Sequence, residues 1–138
     1  MIRRVVCMDR NILRECRGIV DTFMDAGVWS DWFVVKFLVE SGKAIMFVDE
    51  KENGFVRGFL IGEAGSADCV SITNLFVDKK YHRMGVGRAL LQVYEKYARE
   101  CGVKKIKLQS RSTRQALDFY VQNGFQKINW DNYMQKTL

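Results

Sequence analysis

Proline is absent from this chain of 138 residues, which leaves glycine and asparagine as its strong breakers of regular structure. Histidine occurs once, at His82, which argues against a histidine-based metal site and a Ser-His-Asp triad. The four cysteines are widely spaced without a Cys-x-x-Cys pair, so metal and disulfide roles are disfavoured. No apolar run approaches the roughly 20 residues that cross a bilayer, and residues 1–5 turn charged at once, unlike a signal peptide. We therefore expect a cytoplasmic single domain over residues 1–138 with no metal site and no membrane contact.

Positive charge is concentrated in the second part of the chain. The formal net charge is +6, yet residues 1–52 contain 8 Lys+Arg against 9 Asp+Glu, whereas residues 53–138 contain 14 against 7. A basic portion of this kind suits a polyanionic cofactor or a nucleic acid. Nucleic acid is the less favoured partner, because the lysines do not alternate with an exposed platform of aromatic residues.

The stretch 75–91 combines an apolar strand, a basic loop with two glycines and the start of a helix. Gly85 and Gly87 carry no side chain that would hold a phosphate away from the backbone. The free N–H groups and the dipole at a helix start attract anions. No third glycine follows at the spacing of dinucleotide-binding loops, and no Gly-Lys-Ser/Thr of nucleoside triphosphate loops is present. The stretch therefore predicts a phosphate cradle, with a tight turn into a helix as the plainer alternative.

Hydrophobic periodicity and turn residues predict the other elements. Asn53-Gly54 favours a hairpin between the second and third strands. A first helix capped by Asn11 is expected over 11–24, and a second capped by Ser30 over 30–39. Further helices are expected over 86–101 and, with its cap within 110–113, up to residue 122. Strands are predicted at 2–8, 44–48, 55–63, 69–77, 104–109, 125–130 and 133–137.

Two motifs stand in the second half of this pattern. Residues 82–87 read His-Arg-Met-Gly-Val-Gly, and residues 116–125 read Ala-Leu-Asp-Phe-Tyr-Val-Gln-Asn-Gly-Phe. The first resembles the Gln/Arg-x-x-Gly-x-Gly/Ala motif of the GNAT family of N-acetyltransferases, except that histidine replaces Gln/Arg. The second resembles that family's Ala-x-x-Phe/Leu-Tyr-x-x-x-Gly-Phe. The resemblance implies a three-layer mixed α/β acyl-CoA N-acyltransferase fold with a central, mostly antiparallel sheet in the order β-α-α-β-β-β-α-β-α-β-β.

Within the family, the motif is most similar to that of bacterial enzymes that acetylate the N-terminal amine of ribosomal proteins. The similarity runs through Asn74, Val77-Asp78, Tyr81 and 85–91, although Lys79 stands where those enzymes normally have proline. An N-terminal amine acceptor is therefore one expectation.

The resemblance implies that acetyl-CoA is the cosubstrate and that its acetyl group passes to a primary amine by direct attack in a ternary complex. Backbone N–H groups from Arg83 to Ala89 would take the pyrophosphate, Arg83 and Arg88 would reach outer phosphates, and pantetheine would pair with the strand ending at Val77. The cofactor-binding residues expected from the family are Leu75, Phe76, Val77, His82, Arg83, Met84, Gly85, Val86, Gly87, Arg88, Ala89, Thr113 and Phe119.

Two catalytic residues are expected from the same resemblance. Tyr120 matches the tyrosine that protonates the leaving thiolate in many family members. Glu63 is the candidate general base. The alternative, which is at least as well supported, is that Glu63 is simply an exposed charge at the end of a strand. Asp68 is a second candidate base, and the side chains that would order a water instead are Ser71, Thr73 and Asn74.

The acceptor pocket is expected between the first two helices and the final strands. Its candidate residues combine aromatic surfaces with acids, which together hold cations, and they are Trp29, Asp31, Trp32, Phe33, Trp130 and Asp131. They favour a cationic primary amine, either a polyamine-like or amino-sugar molecule or a peptide amine, unless the aromatics simply close the core. A non-catalytic acyl-CoA-binding domain and a nucleic-acid-binding module remain alternatives, and the protein is expected to be a monomer or a homodimer.

Overall fold

A computed structural model describes residues 1–23, 31–128 and 131–138 of the chain. Within them, helices pack on both faces of one seven-stranded sheet. The helices are α1 Arg10–Asp21, α2 Trp32–Glu40, α3 Val86–Glu100 and α4 Arg114–Gln122, and a 3-10 turn covers Lys79–Tyr81. The strands are β1 Ile2–Val5, β2 Ala44–Glu50, β3 Val56–Glu63, β4 Cys69–Val77, β5 Lys105–Gln109, β6 Gln126–Lys127 and β7 Tyr133–Thr137.

The strands lie in the order β1-β2-β3-β4-β5-β7-β6. Every described pair is antiparallel except β4 with β5. This parallel pair is short, since Ser71 opposite Lys107 is its last register position, and β4 continues alone to Val77. The predicted three-layer fold with a mixed, mostly antiparallel sheet is confirmed.

A bulge in β4 decides which side chains face each side of the sheet. Ile61 of β3 is opposite Asn74, but the next residue, Gly62, is opposite Ile72, so Thr73 is the extra residue. Beyond the bulge, Leu75 and Val77 pack with the α3 side of the core, whereas Phe76 belongs to the cluster on the α1 side.

Two apolar clusters hold the layers together. On one face, Leu90 and Tyr94 of α3 pack with Ile106 of β5, and the partly buried rings of α4 lie against them. On the other face, Ile12 of α1 packs with Phe59 of β3 and with neighbouring α2 residues. These clusters fix α3 and α4 on one side of the sheet, and α1 and α2 on the opposite side.

The helix starts differ from two of the predictions. Asp9, not Asn11, caps α1, because its carboxylate accepts the Ile12 N–H at 2.9 Å, and the helix ends at Asp21 instead of residue 24. Asp31 caps α2, and the predicted cap Ser30 lies outside the described residues. In both cases a carboxylate within reach of free amides supplies the cap.

Other local predictions are confirmed. Thr113 caps α4, and Gly54 closes the β2–β3 hairpin with a φ of +85°. Strand β6 covers only two residues of the predicted 125–130, of which 129 and 130 lie outside the described residues. None of the helices in the described part of the chain is long and apolar enough to cross a membrane.

Candidate active site

A cleft of about 1050 Å³ opens where β4 and β5 separate. Its walls are β4 from Ile72 to Val77, the loop into α3, the end of β5 and the first turns of α4. The sequence-predicted residues that line it are Leu75, Phe76, Val77, His82, Arg83, Gly85, Val86, Gly87, Arg88, Thr113, Phe119 and Tyr120. Two elements far apart in the sequence therefore bring both motifs into one site.

One wall of the cleft is an unpaired strand edge. Past Ser71, β5 no longer pairs with β4, so the edge of residues 73–77 that is not paired with β3 is left open at the cleft. Unpaired strand edges bind extended ligands by adding them as a further strand. This edge is suited to the amide-bearing arm of an acyl-CoA.

The start of α3 is the only described helix start without a side-chain cap. Asp9, Asp31 and Thr113 cap the other three helices, whereas Gly85 precedes α3 with a φ of +80° and supplies no side-chain hydrogen bond. The first-turn amides of residues 86–88 therefore have no acceptor within the helix. They are suited to an anion such as a pyrophosphate.

The predicted amide cradle is shorter than expected at its far end. Ala89 donates its N–H to the carbonyl oxygen of Gly85 at 3.0 Å, so this amide is already part of the helix. Ala89 does not line the cleft, and neither does the exposed Met84. Helical hydrogen bonding therefore ends the row of free amides at Arg88.

Gly87 provides space that a side chain would remove. A Cβ built at Gly87 would lie 3.3 Å from Cζ of the Phe119 ring and 3.4 Å from a methyl group of Val77. Phe119 and Val77 both line the cleft. The two motifs thus meet at this glycine, whose missing side chain keeps the cradle open, and the residues present fit an acyl-CoA.

The charge of the cleft is strongly positive. Its described lining contains four arginines, Arg83, Arg88, Arg111 and Arg114, against one carboxylate, Asp118. Asp118 lies 3.7 Å from Arg114 in an exposed pair at the outer rim. The lining is therefore complementary to a polyanion.

Tyr120 lies on the inner wall in an aromatic stack. Its ring is 5.1 Å from that of Phe119 and 5.6 Å from that of Phe125, both edge to face. Burial raises the pKa of Tyr120 to about 12. The hydroxyl therefore keeps its proton throughout the neutral range, as a general acid must.

Glu63, the predicted general base, does not line the cleft. Its carboxylate accepts the N–H of Ser71 at 2.6 Å, at the end of β4 that is still paired with β5. Its backbone oxygen accepts the hydroxyl of Tyr94 at 2.7 Å. Because β3 runs antiparallel to β4, the end of β3 lies away from the opening, and the structure does not bring Glu63 together with Tyr120.

The predicted acceptor residues do not form one pocket in the described structure. Trp29 and Trp130 lie outside the described residues. The Asp31 carboxylate caps α2 by accepting the N–H groups of Phe33 and Val34. The Trp32 ring packs 6.0 Å from that of Phe59, Phe33 is exposed, and the backbone oxygen of Asp131 accepts a hydrogen bond from Gln109. The lining of the cleft contains none of the four predicted residues Asp31, Trp32, Phe33 and Asp131.

Several cleft residues were missed by the sequence analysis, among them Phe23 and Arg111. Phe23, just after α1, and Arg111, between β5 and α4, meet across the mouth of the cleft, with the Arg111 Cζ 4.8 Å from the ring centroid. For Arg111 the available signal was its place just after β5, because residues that follow the carboxyl ends of parallel strands meet at one edge, whereas Phe23 follows a helix and had no such signal. No group of His, Cys, Asp and Glu side chains suited to a metal ion occurs among the residues described.

Comparison with known proteins gives a family match and a shared fold. The family model described as "Acetyltransferase (GNAT) family" matches residues 10–125. No curated protein matches the chain.

Solved structures share the fold over most or all of the chain. Ard1 from Thermoplasma volcanium is 20% identical with a TM-score of 0.77, covering 100% of this chain and 97% of its own. The PaiA N-acetyltransferase from Thermoplasma acidophilum, in complex with coenzyme A, is 15% identical with a TM-score of 0.71, covering 100% and 99%. Nourseothricin acetyltransferase is 22% identical with a TM-score of 0.62, covering 70% of this chain and 66% of its own.

Proposed function

Because the chain belongs to the acetyltransferase (GNAT) family, whose members are N-acetyltransferases that use coenzyme A, we propose that it acetylates a primary amine by direct attack within a ternary complex. Bound acetyl-CoA supplies the thioester whose acetyl group is transferred. The observation that carries the proposal is the single cleft that joins an uncapped helix start, an open strand edge and a protonated tyrosine.

The cradle and the strand edge would hold the cosubstrate from opposite ends. The amides of residues 86–88 would donate to the pyrophosphate, and Arg83 and Arg88 would balance its charge. The edge of residues 73–77 would pair with the pantetheine arm, which fixes the thioester carbonyl against a neighbouring amine. Holding both reactants in one geometry removes the entropic cost of their encounter.

Tyr120 would donate its proton to the departing thiolate. A phenol with a pKa near 12 is fully protonated at neutral pH. As the departing sulfur takes up negative charge, the phenol proton would pass to it, so that the thiol leaves neutral. The rings of Phe119 and Phe125 hold the tyrosine in place. General acid catalysis of this kind contributes roughly 10²- to 10⁴-fold to a rate.

The position of the cysteines favours direct transfer over a covalent acetyl-enzyme. Cys16 is buried on the inner face of α1, Cys7 and Cys101 are exposed elsewhere, and Cys69 lies at the start of β4. All four are within the described residues, and none lines the cleft. A thiol nucleophile next to the thioester is therefore not provided by this chain's cysteines.

The amine would reach the cleft as the free base. In the described lining the only carboxylate is Asp118, at the exposed rim, so the proton is best passed to water ordered by polar groups of β4 such as Thr73 and Asn74. A narrower assignment, to the enzymes that acetylate ribosomal N-terminal amines, stays a prediction.

An assay with acetyl-CoA and a panel of primary amines tests the proposal. The panel contains alkyl amines, amino acids, amino sugars, polyamines and peptides with ribosomal N-termini, and thiol release is measured with the mass of the product. Varying both substrates should give intersecting initial-rate lines, whereas parallel lines would indicate an acetyl-enzyme.

Acetyl-CoA binding without turnover of any amine would instead support a non-catalytic acyl-CoA-binding domain. Salt-dependent binding to generic DNA or RNA would support the third alternative.

A further inference from the structure

Arg111 lines the cleft from the loop between β5 and α4. Its guanidinium lies over Phe23, whose ring packs 5.4 Å from that of Phe76. Phe76 belongs to the apolar cluster on the α1 side of the sheet, whereas the cradle at the start of α3 belongs to the other side. Because the Phe23 ring also lies 6.3 Å from that of His82, Arg111 is placed on the α1 side of the sheet, next to the loop that leads to the cradle.

The loop that carries Arg111 is fixed at both ends. Ser110 is buried, donates its N–H to the carbonyl oxygen of Asn132 at 2.9 Å and its hydroxyl to the Arg111 oxygen at 2.9 Å. Thr113, two residues after Arg111, caps α4. The guanidinium is thus presented from a short, anchored segment with little freedom to move away.

The Arg111 charge has no anionic partner in the described residues. Its Nε is buried and makes no hydrogen bond there, and no described carboxylate lies within 4 Å of the guanidinium. Burial removes water from the guanidinium, and the π face of the Phe23 ring compensates only part of that cost. The same ring also lies 5.1 Å from the Lys79 ammonium, a second cation that it has to stabilise. An arginine cannot lose its proton to escape the cost.

The cosubstrate does not account for this charge. Its phosphates have the amides of residues 86–88 together with Arg83 and Arg88 on the α3 side. The remaining ligand in the cleft is the acceptor. A guanidinium has a planar fork of donors that matches a carboxylate with two parallel hydrogen bonds.

We propose that Arg111, stacked on Phe23, binds a carboxylate of the acceptor, so that the acceptor is an amino acid or another primary amine that carries a carboxylate. This inference rests on the proposed acetyl transfer for its account of the ligand, and it is an alternative to the cationic acceptor that the sequence favours. The carboxylate fills the unpaired donors of Arg111 and directs the amine towards β4 and Tyr120.

Matched substrates test the inference. Each of several amino acids is compared with its own carboxamide, which keeps the amine and the side chain but removes the negative charge. The wild-type protein should have a kcat/KM at least about tenfold higher for the acids. Arg111→Gln should raise KM for the acids by about 10²-fold and leave the amides unchanged.

Three controls accompany this comparison. Arg111→Lys keeps the charge but not the fork and should give an intermediate KM. Arg17→Gln makes the same charge change at an exposed position of α1 and should not alter the preference. Calorimetric titration of acetyl-CoA and a thermal unfolding curve show that each variant is folded and still binds the cosubstrate.

A direct binding measurement separates the inference from the proposed function. N-acetyl amino acids and their amides are titrated into protein saturated with coenzyme A. Arg111-dependent binding of the acids alone, without turnover of any amine, would support the carboxylate site and refute the acetyl transfer.

Turnover of amines without preference for acids, a preference for polyamines, or an equal loss with acids and amides in Arg111→Gln would overturn the inference alone. Loss of acetyl-CoA affinity in that variant would also overturn it, because Arg111 would then serve the cosubstrate.

Discussion

The ring of Phe119 lies so close to Gly87 that a Cβ there would be 3.3 Å from the ring Cζ. Phe119 comes from the second motif and Gly87 from the first, so this contact joins α4 to the start of α3. A side chain at residue 87 would press on Phe119 and Val77, which both line the cleft. The cradle therefore depends on a glycine at this position because of its close neighbours, since only Gly85 of the pair requires a left-handed backbone.

Replacing Gly87 with valine should abolish measurable acetyl-CoA binding. The branched side chain would occupy the space above the first-turn amides and keep a phosphate out of hydrogen-bond reach. Isothermal calorimetry measures the loss, and circular dichroism shows that the fold persists. Gly18→Ala, on α1 with open space around its Cα, is the matched control. Wild-type affinity in Gly87→Val would contradict the phosphate cradle.

Replacing Tyr120 with phenylalanine should lower the rate of acetyl transfer by about 10²-fold. The change removes one oxygen and keeps the ring stacked between Phe119 and Phe125, so acetyl-CoA affinity and stability should hardly change. Single-turnover measurements report the chemical step without product release. An unchanged single-turnover rate would show that Tyr120 is a packing residue only.

The pH dependence of the reaction should reflect the acceptor and not an enzymatic base. A protonated amine is not nucleophilic, so kcat/KM should rise with pH along a limb that follows the pKa of each acceptor amine. The pKa of Tyr120, raised by burial to about 12, places loss of the general acid at the alkaline extreme, so no descending limb is expected below about pH 10. Two acceptors that share one ascending pKa would indicate a titrating group of the protein.

Substitutions at Asp31 should change stability and leave acceptor affinity alone. Its carboxylate caps α2, so Asp31→Ala should destabilise the protein by about 1 kcal/mol, whereas Asp31→Asn keeps a capping oxygen and should be nearly neutral. Chemical denaturation measures the first effect, and KM for several amines measures the second. A KM that rises for cationic amines in Asp31→Asn, at unchanged stability, would restore this residue to the acceptor site.

Local sequence rules predicted the part of the site that local structure makes. Residues 75–91 form a strand, a turn and a helix start within one continuous stretch, and Gly85 and Thr113 act on amides only a few residues away. Their spacing alone therefore indicates the local structure that they form. The order of the helices and strands followed from the same periodicities, and the three-layer fold followed from the resemblance to the family.

The remainder of the site depends on contacts that spacing does not encode. The position of Glu63 depends on the β3–β4 register and on the bulge at Thr73, which a sequence does not reveal. The Arg111–Phe23 contact joins a loop to the end of a distant helix across the sheet. In the sequence, a carboxylate such as Asp31 before an apolar helix is compatible both with a helix cap and with a binding site. In the structure it acts as a cap, because it accepts the N–H groups of Phe33 and Val34.

The open start of α3 links the lifetime of this protein to the supply of its cosubstrate. Without an anion, no side chain of the described residues caps the amides of residues 86–88, so a bound phosphate would add hydrogen bonds that the ligand-free protein lacks. A ligand that binds only the folded chain stabilises it by about 2.7 kcal/mol at a hundredfold excess over its Kd. A cell rich in acyl-CoA would therefore keep more of this protein folded and protected from proteases than a starved one, without any change in its synthesis.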